Sequence, residues 1–271
     1  MKIDSSLKIL RKAIAEFNPT HYVSMVSGGK DSAASDAIAR ELGVKVDLVI
    51  HGNTRCGIPE TTEFVRENYG NLDSDYVEAD AGTTYEDRVL RKGFYGVGRG
   101  AHNHAFRELK VTWFRKAISH SIRHGKRGIR VLMLNGARQD ESENRKANLK
   151  VWRPDPASKN NIWVNLIHDW TAEDRDTYLE TRQCKINPVA KALCRSGECM
   201  CGTMQSKAER VEAATLYPKW GNWLEKLEAE ARRLHGFGWG DNFPKGEKKP
   251  KPLKTLDALE GSFCGDCRRQ K

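Results

Sequence analysis

The hexapeptide Ser27-Gly28-Gly29-Lys30-Asp31-Ser32 constrains this chain more than any other stretch, because of what flanks it. His21 to Val26 reads as a short strand, and Ser32 to about Leu42 as an alanine-rich helix. Two glycines between a strand and a helix let the backbone come close to a bound group and adopt dihedrals that other residues avoid. Backbone N–H groups at the helix start then face an anion, helped by the helix dipole. Lys30 offsets phosphate charge, Ser27 and Ser32 donate hydrogen bonds, and Asp31 is suited to hold a magnesium ion that bridges phosphate oxygens. A glycine turn capped by serines is the plainer reading, and the full composition in this strand–helix setting argues against it. The loop is not a Walker A motif, since G-x-x-x-x-G-K-[ST] is absent.

The same alternation runs on. Ser5 to Phe17 has the spacing of an amphipathic helix, Val44 to Ile50 alternates as a second strand, and Pro59 opens a helix to about Tyr69. Tyr76 and Val77 mark a short third strand, and Phe106 to His124 a long helix. Ile129 to Leu134 and Ile162 to Leu166 read as strands, and Thr171 as the cap of a helix from Ala172 to Thr181. Strands alternating with helices predict an α/β fold, a Rossmann-like parallel sheet flanked by helices, with functional loops at the carboxyl ends of the strands. Past Pro188 the character changes to a cysteine-bearing loop and two helical stretches, Lys207 to Leu216 and Lys219 to Leu234. The expected division is a nucleotide-binding α/β domain over 1–186 and a cysteine-rich helical region over 187–271, with a basic Gly/Pro/Lys linker at 236–254.

Five of the seven cysteines fall in two tight groups: Cys194, Cys199 and Cys201 in one turn, and Cys264 and Cys267 as a C-x-x-C pair. Thiolates so spaced suit zinc or an iron–sulfur cluster, with four ligands drawn from the five. Cys56 and Cys184 stand alone and read as structural. Arg138 and Arg145 follow an apolar strand; guanidinium groups stay charged and grip phosphate in a bidentate manner, so both suit an α-phosphate under attack. A surface helix start with internal ion pairs is the alternative for that stretch, and Glu141 fits either.

Several segments in order resemble one family. Ser27 to Ser32 resembles the pyrophosphatase loop of the adenine-nucleotide alpha-hydrolase superfamily. Asn53-Thr54 with Pro59-Glu60-Thr61, the G-x-R-x-x-E-S-x-x-R pattern from Gly136 to Arg145, His168-Asp169-Trp170-Thr171, and Asn187-Pro188 before Cys199 resemble the phosphoadenylylsulfate (PAPS) reductase-like branch. Together they span roughly residues 20–205. The resemblance implies bound ATP and Mg2+, with Gly52, Asn53, Thr54 and Gly136 near the nucleotide, and it favours a [4Fe-4S] cluster over zinc at the cysteines. Reductases of this kind end in a Glu-Cys-Gly segment, whereas this tail reads Phe263-Cys264-Gly265-Asp266-Cys267.

Within the branch the chain is most similar to the ATP-pyrophosphatase component of DNA phosphorothioation systems. The implied activity is cleavage of ATP to pyrophosphate with adenylation of an acceptor oxygen, here on DNA, followed by sulfur insertion from a cysteine desulfurase. A formal net charge of +10 agrees with a phosphate-rich partner. Sulfonucleotide reduction with sulfite release, and a non-catalytic nucleotide-sensing or DNA-binding module, are the alternatives. No apolar run approaches the roughly 20 residues that cross a bilayer, and the start of the chain has no signal-peptide pattern, so no membrane partner and a cytoplasmic location are expected.

Overall fold

The computed structural model describes residues 2–244. Helix α1 (Ile3–Phe17) buries Ile9, Leu10 and Ala13 and ends at Asn18, whose left-handed backbone turns the chain into strand β1 (His21–Val26). Then come α2 (Lys30–Glu41), β2 (Leu48–Asn53), α3 (Pro59–Tyr69), β3 (Asp75–Asp80) and α4 (Thr84–Lys92). A rod follows, built from α5 (Arg99–Phe106), a wide π-helical turn (Arg107–Val111), α6 (Thr112–Ile118) and a second wide turn (Ser119–Arg123). The rest is β4 (Val131–Asn135), α7 (Glu143–Asn148), β5 (Trp152–Asp155), β6 (Ser158–Asn165), α8 (Ala172–Thr181), α9 (Pro188–Leu193), α10 (Lys207–Leu216) and α11 (Pro218–His235).

The six strands form one sheet in the order β3-β2-β1-β4-β6-β5. All neighbours run parallel except β5, which lies antiparallel to β6 at the edge. An edge strand tolerates Pro154, whose missing N–H would break a central ladder. The chain winds outward from β1 to β3 and then crosses back to place β4 on the other side of β1. That reversal opens a crevice between the carboxyl ends of β1 and β4, where open α/β sheets bind their ligands.

Alternation along the strands builds a core on each face. Leu132 and Leu134 of β4 face α1, α2 and α8, together with Ala34, Ile38, Trp170 and Tyr178. Val131 and Met133 point the other way, toward Phe114, Ala117 and Ile118 of the rod. Each such Leu or Ile buried from water contributes roughly 1.5–3 kcal/mol. A third core joins Tyr85 and Val89 of α4 to Trp220 and Leu224 of α11, and includes Cys56, Met200 and Cys201.

Three expectations need correction. The second strand starts at Leu48, not Val44, because the Val44 N–H is taken by Ala39 O at the end of α2 (3.0 Å). The long helix from Phe106 is the rod, already begun at Arg99 and broken by its two wide turns. The stretch read as linker is packed at its start: Phe237 and Trp239 are buried, and Trp239 Nε1 donates to Met200 O (2.8 Å). Its remainder from 245, with Cys264 and Cys267, lies outside the described residues.

Candidate active site

A cavity of about 400 Å³ opens at the crevice, a size within the range that holds small-molecule ligands. Its floor is the loop between β1 and α2. The Ser27 N–H donates to Ser32 Oγ (3.1 Å), and Ser32 Oγ donates to Gly29 O (2.9 Å), so the two serines brace the loop across its glycines. Gly28 has φ +73°, a left-handed conformation that glycine takes without strain. Its carbonyl accepts from Asn187 Nδ2 (3.1 Å), which places Gly28 behind the loop while Ser27, Gly29, Lys30, Asp31 and Ser32 line the cavity.

The second wall follows β4. Gly136 lies against the phosphate loop so closely that a Cβ there would fall 2.2 Å from Asp31 O. Arg138, 1% exposed, donates from Nε to Asp31 Oδ1 (2.6 Å). Its N–H donates to Glu141 Oε1 (2.8 Å), the same oxygen that receives Arg145 Nη1 (2.6 Å). Arg145 is 3% exposed, lines the cavity, and its Nη2 has no hydrogen-bond partner among the described residues. A buried guanidinium donor left unsatisfied at a cavity wall is costly unless a ligand acceptor meets it. Burial pushes the Glu141 carboxyl up to about 7, against the pull of Arg145 and with Asp31 adding to the rise.

The third wall was not foreseen. Arg175 and Asp176 reach the cavity from the first turns of α8. Arg175 donates from Nη1 to Asp31 Oδ1 (2.9 Å) and from Nε to Asp176 Oδ1 (2.8 Å), and Lys30 Nζ reaches Asp176 Oδ2 (3.3 Å). The available signal was the Thr171 cap, which sets the start of α8 beside the crevice. Phe106, Lys110 and Phe114 of the rod and Trp163 of β6 also line the cavity.

The carboxyl end of β2 divides. Gly52 lines the cavity, and Asn53 and Thr54, also expected at the nucleotide, stand beside it with their side chains turned to other partners. Asn53 Nδ2 donates to Glu78 Oε2 (3.2 Å), and Thr54 Oγ1 donates to Glu198 O (2.7 Å), so both hold the loop together. His51 is buried, donates from Nδ1 to Val26 O (3.0 Å), and is held down to about 4 by burial, hence neutral at pH 7.

The cysteines regroup. Cys199 lines the cavity, and its thiol is hydrogen-bonded to those of Cys201 and Cys56, the residue set aside as solitary. Those bonds, with Lys110 nearby, hold the Cys199 thiol well below the ordinary range. The Cys56 thiol is pushed up by burial, and that of Cys201 by its bond to Cys199. Glu198, 3% exposed, is ion-paired with Lys110 beside them. Cys194 is exposed at the rim. Among the described residues no group of three or more Cys, His, Asp or Glu is placed to hold a metal ion. The expected ligands, four of Cys194, Cys199, Cys201, Cys264 and Cys267, include two that lie outside the described residues, and no chemical step below passes through a cluster. No helix among the described residues is long and apolar enough to cross a membrane.

Two solved structures are similar to part of this chain or more. One is the phosphoadenylyl-sulfate (PAPS) reductase from Candida auris in a phosphate complex, 15% identical, with a TM-score of 0.46, covering 69% of this chain and 83% of that one. The other is the U34-tRNA thiolase NcsA from Methanococcus maripaludis with its [4Fe-4S] cluster, 13% identical, with a TM-score of 0.41, covering 97% of this chain and 89% of that one. No curated protein matches the sequence. A family profile, the phosphoadenosine phosphosulfate reductase domain, matches residues 21–204, from β1 through the thiol turn. That span holds most of the chain and the cavity's three walls, and the protein belongs to the phosphoadenosine phosphosulfate reductase domain family.

Proposed function

We propose that the chain is an ATP pyrophosphatase that adenylates an acceptor oxygen so that sulfur can replace it. The observation that carries this reading is the buried Arg145 donor left without a partner among the described residues, in a cavity floored by the phosphate loop. An acceptor oxygen attacks the α-phosphorus, the bond from that phosphorus to the bridging β-oxygen breaks, and pyrophosphate leaves with the electron pair. Loop N–H groups at the start of α2 and Lys30 hold the leaving phosphates. Arg138 and Arg145 face the charge that grows on the α-phosphoryl oxygens, in a site where burial strengthens each contact. Asp31 suits a magnesium ion, which when bound offsets charge shared between phosphate oxygens. The adenylated oxygen is then a good leaving group, and a sulfur nucleophile displaces AMP at the side of the cavity that holds Cys199.

The finer reading takes a DNA backbone oxygen as the acceptor and a cysteine desulfurase as the sulfur source. The net charge of +10 supports a polyanionic acceptor. The test incubates anaerobically purified protein with magnesium and ATP, with and without DNA, and follows pyrophosphate against free phosphate. Pyrophosphate release that is lost in Asp31→Ala and stimulated by DNA is the expected result. Turnover indifferent to DNA removes the DNA acceptor. The family match makes sulfonucleotides the second substrate class to try. Sulfite release from phosphoadenylylsulfate or adenylylsulfate, with no pyrophosphate from ATP, overturns the leading reading.

A further inference from the structure

The charges around the phosphate loop form one alternating chain. Lys30 meets Asp176, Asp176 meets Arg175, Arg175 meets Asp31, Asp31 meets Arg138, and Arg138 meets Asp140. Three cations and three carboxylates thus balance before any ligand arrives. All but Asp140 line the cavity. The members differ in how deeply they are held. Arg138 is buried at 1% side-chain exposure and Arg175 is nearly so at 13%, whereas Asp176 at 46% and Lys30 at 33% are open to water.

A phosphate on the loop competes with carboxylates for Lys30, Arg175 and Arg138, whereas the Arg145 Nη2 donor meets no acceptor among the described residues. We propose that Arg175 is a third phosphate-contacting arginine of this site, and that Asp176 is the internal anion which holds Lys30 until a phosphate takes its place. The inference rests on the polyphosphate reading of the cavity and adds residues from α8 to it. When phosphate arrives, Lys30 leaves Asp176 for the ligand at little cost, because a half-exposed pair is weak. Arg175 keeps Asp176 through Nε and turns its Nη1, now on Asp31, to a phosphate oxygen. Asp31 is then released toward a cation that accompanies the phosphates. The guanidinium suits this exchange because its donors form a fork that serves two acceptors at once.

Asp176 is a positioning residue in this scheme, since it acts through Lys30, and its removal has a signature that structural damage does not produce. Losing a competitor for Lys30 makes phosphate binding tighter. Calorimetric titration of inorganic pyrophosphate, without magnesium, into the intact chain and its variants reads the effect directly. Asp176→Asn is expected to bind pyrophosphate about twofold to fivefold more tightly. Arg175→Ala is expected to bind it roughly tenfold or more weakly, and Arg175→Lys to recover part of that loss. Thermal unfolding of each variant shows whether the fold is intact. Should Arg175→Ala fail to fold, the tightening in Asp176→Asn still decides the matter. Pyrophosphate bound equally by wild type and both variants, or more weakly by Asp176→Asn, overturns this inference and leaves the polyphosphate reading standing. A wild-type chain that binds neither pyrophosphate nor ATP overturns both.

Discussion

The cavity has two chemically different corners. At the phosphate loop, charges stand in partly exposed pairs, with Asp31 at 27% and Asp176 at 46% side-chain exposure. Exposed pairs of this kind contribute about 0–1 kcal/mol each, so their members can change partners. At the thiol corner, Cys56, Cys201 and Glu198 are buried, and Glu198, at 2% side-chain exposure, is ion-paired with Lys110 at 12%. There a lost partner strands a charge in a low-dielectric setting, which costs several kcal/mol. One corner is built to yield to an incoming polyanion and the other to stay fixed. A ligand that brings its charge at one end and its reacting atom at the other needs that division.

The comparison is broken most severely at the fixed corner. Lys110→Met leaves the Glu198 carboxylate buried without this partner and should lower the unfolding free energy by about 3–5 kcal/mol in urea titration. A further Glu198→Gln change on that background should recover much of the loss; no recovery would mean that packing rather than charge holds this corner. Arg138→Ala comes next, since it removes a deeply buried cation that pairs with Asp31 of the yielding corner. Pyrophosphate release should fall by about 10²–10³-fold, and a loss under tenfold would detach Arg138 from the α-phosphate.

Glu141 sharpens the contrast through pH. The folded chain holds its proton up to about pH 7, chiefly because burial disfavours the charged form, while an exposed glutamate titrates near 4.5. The stability from this group is therefore whole below the unfolded value and is lost as pH rises through about 7. Denaturation at pH 5 and pH 8 should differ by at most about 3 kcal/mol on its account, and Glu141→Gln should remove that part of the difference. The smallest effect is expected at the rim. Cys194→Ser should change stability by less than about 0.5 kcal/mol while abolishing, by peptide mapping, the fastest maleimide labelling among the thiols of the described residues. Fast labelling that persists would show that another thiol is the open one.

Contiguity decided what could be read from the residues alone. Ser27 to Ser32, the helix that Pro59 opens, and the Thr171 cap are local patterns whose physics is complete within a few residues, and each lies where the pattern puts it. The fold class followed from the same local alternation. The directions of the Asn53 and Thr54 side chains were not legible, because a backbone position does not fix where a side chain turns, and these turn toward Glu78 and Glu198. Cys56 looked solitary because 143 residues separate it from Cys199, and only the turn after β2 packing on the thiol turn joins them. Arg175 carried no motif, and its meaning came from the neighbour that α8 gave it, Asp31.

The wide turn at Arg107–Val111 sets the phase of everything the rod shows to the cavity. Phe106, Lys110 and Phe114 are spaced by four, and all three line the wall. On an unbroken α-helix each step of four overshoots a full circle by about 40°, so Phe114 would sit about 80° around from Phe106. Through this turn the Thr112 N–H reaches back five residues to Arg107 O, which straightens the staircase into a ladder. The length of that one segment is therefore a rotary setting. A single residue deleted from it would swing Phe114, and the whole face of α6 that meets the sheet, by about 100°.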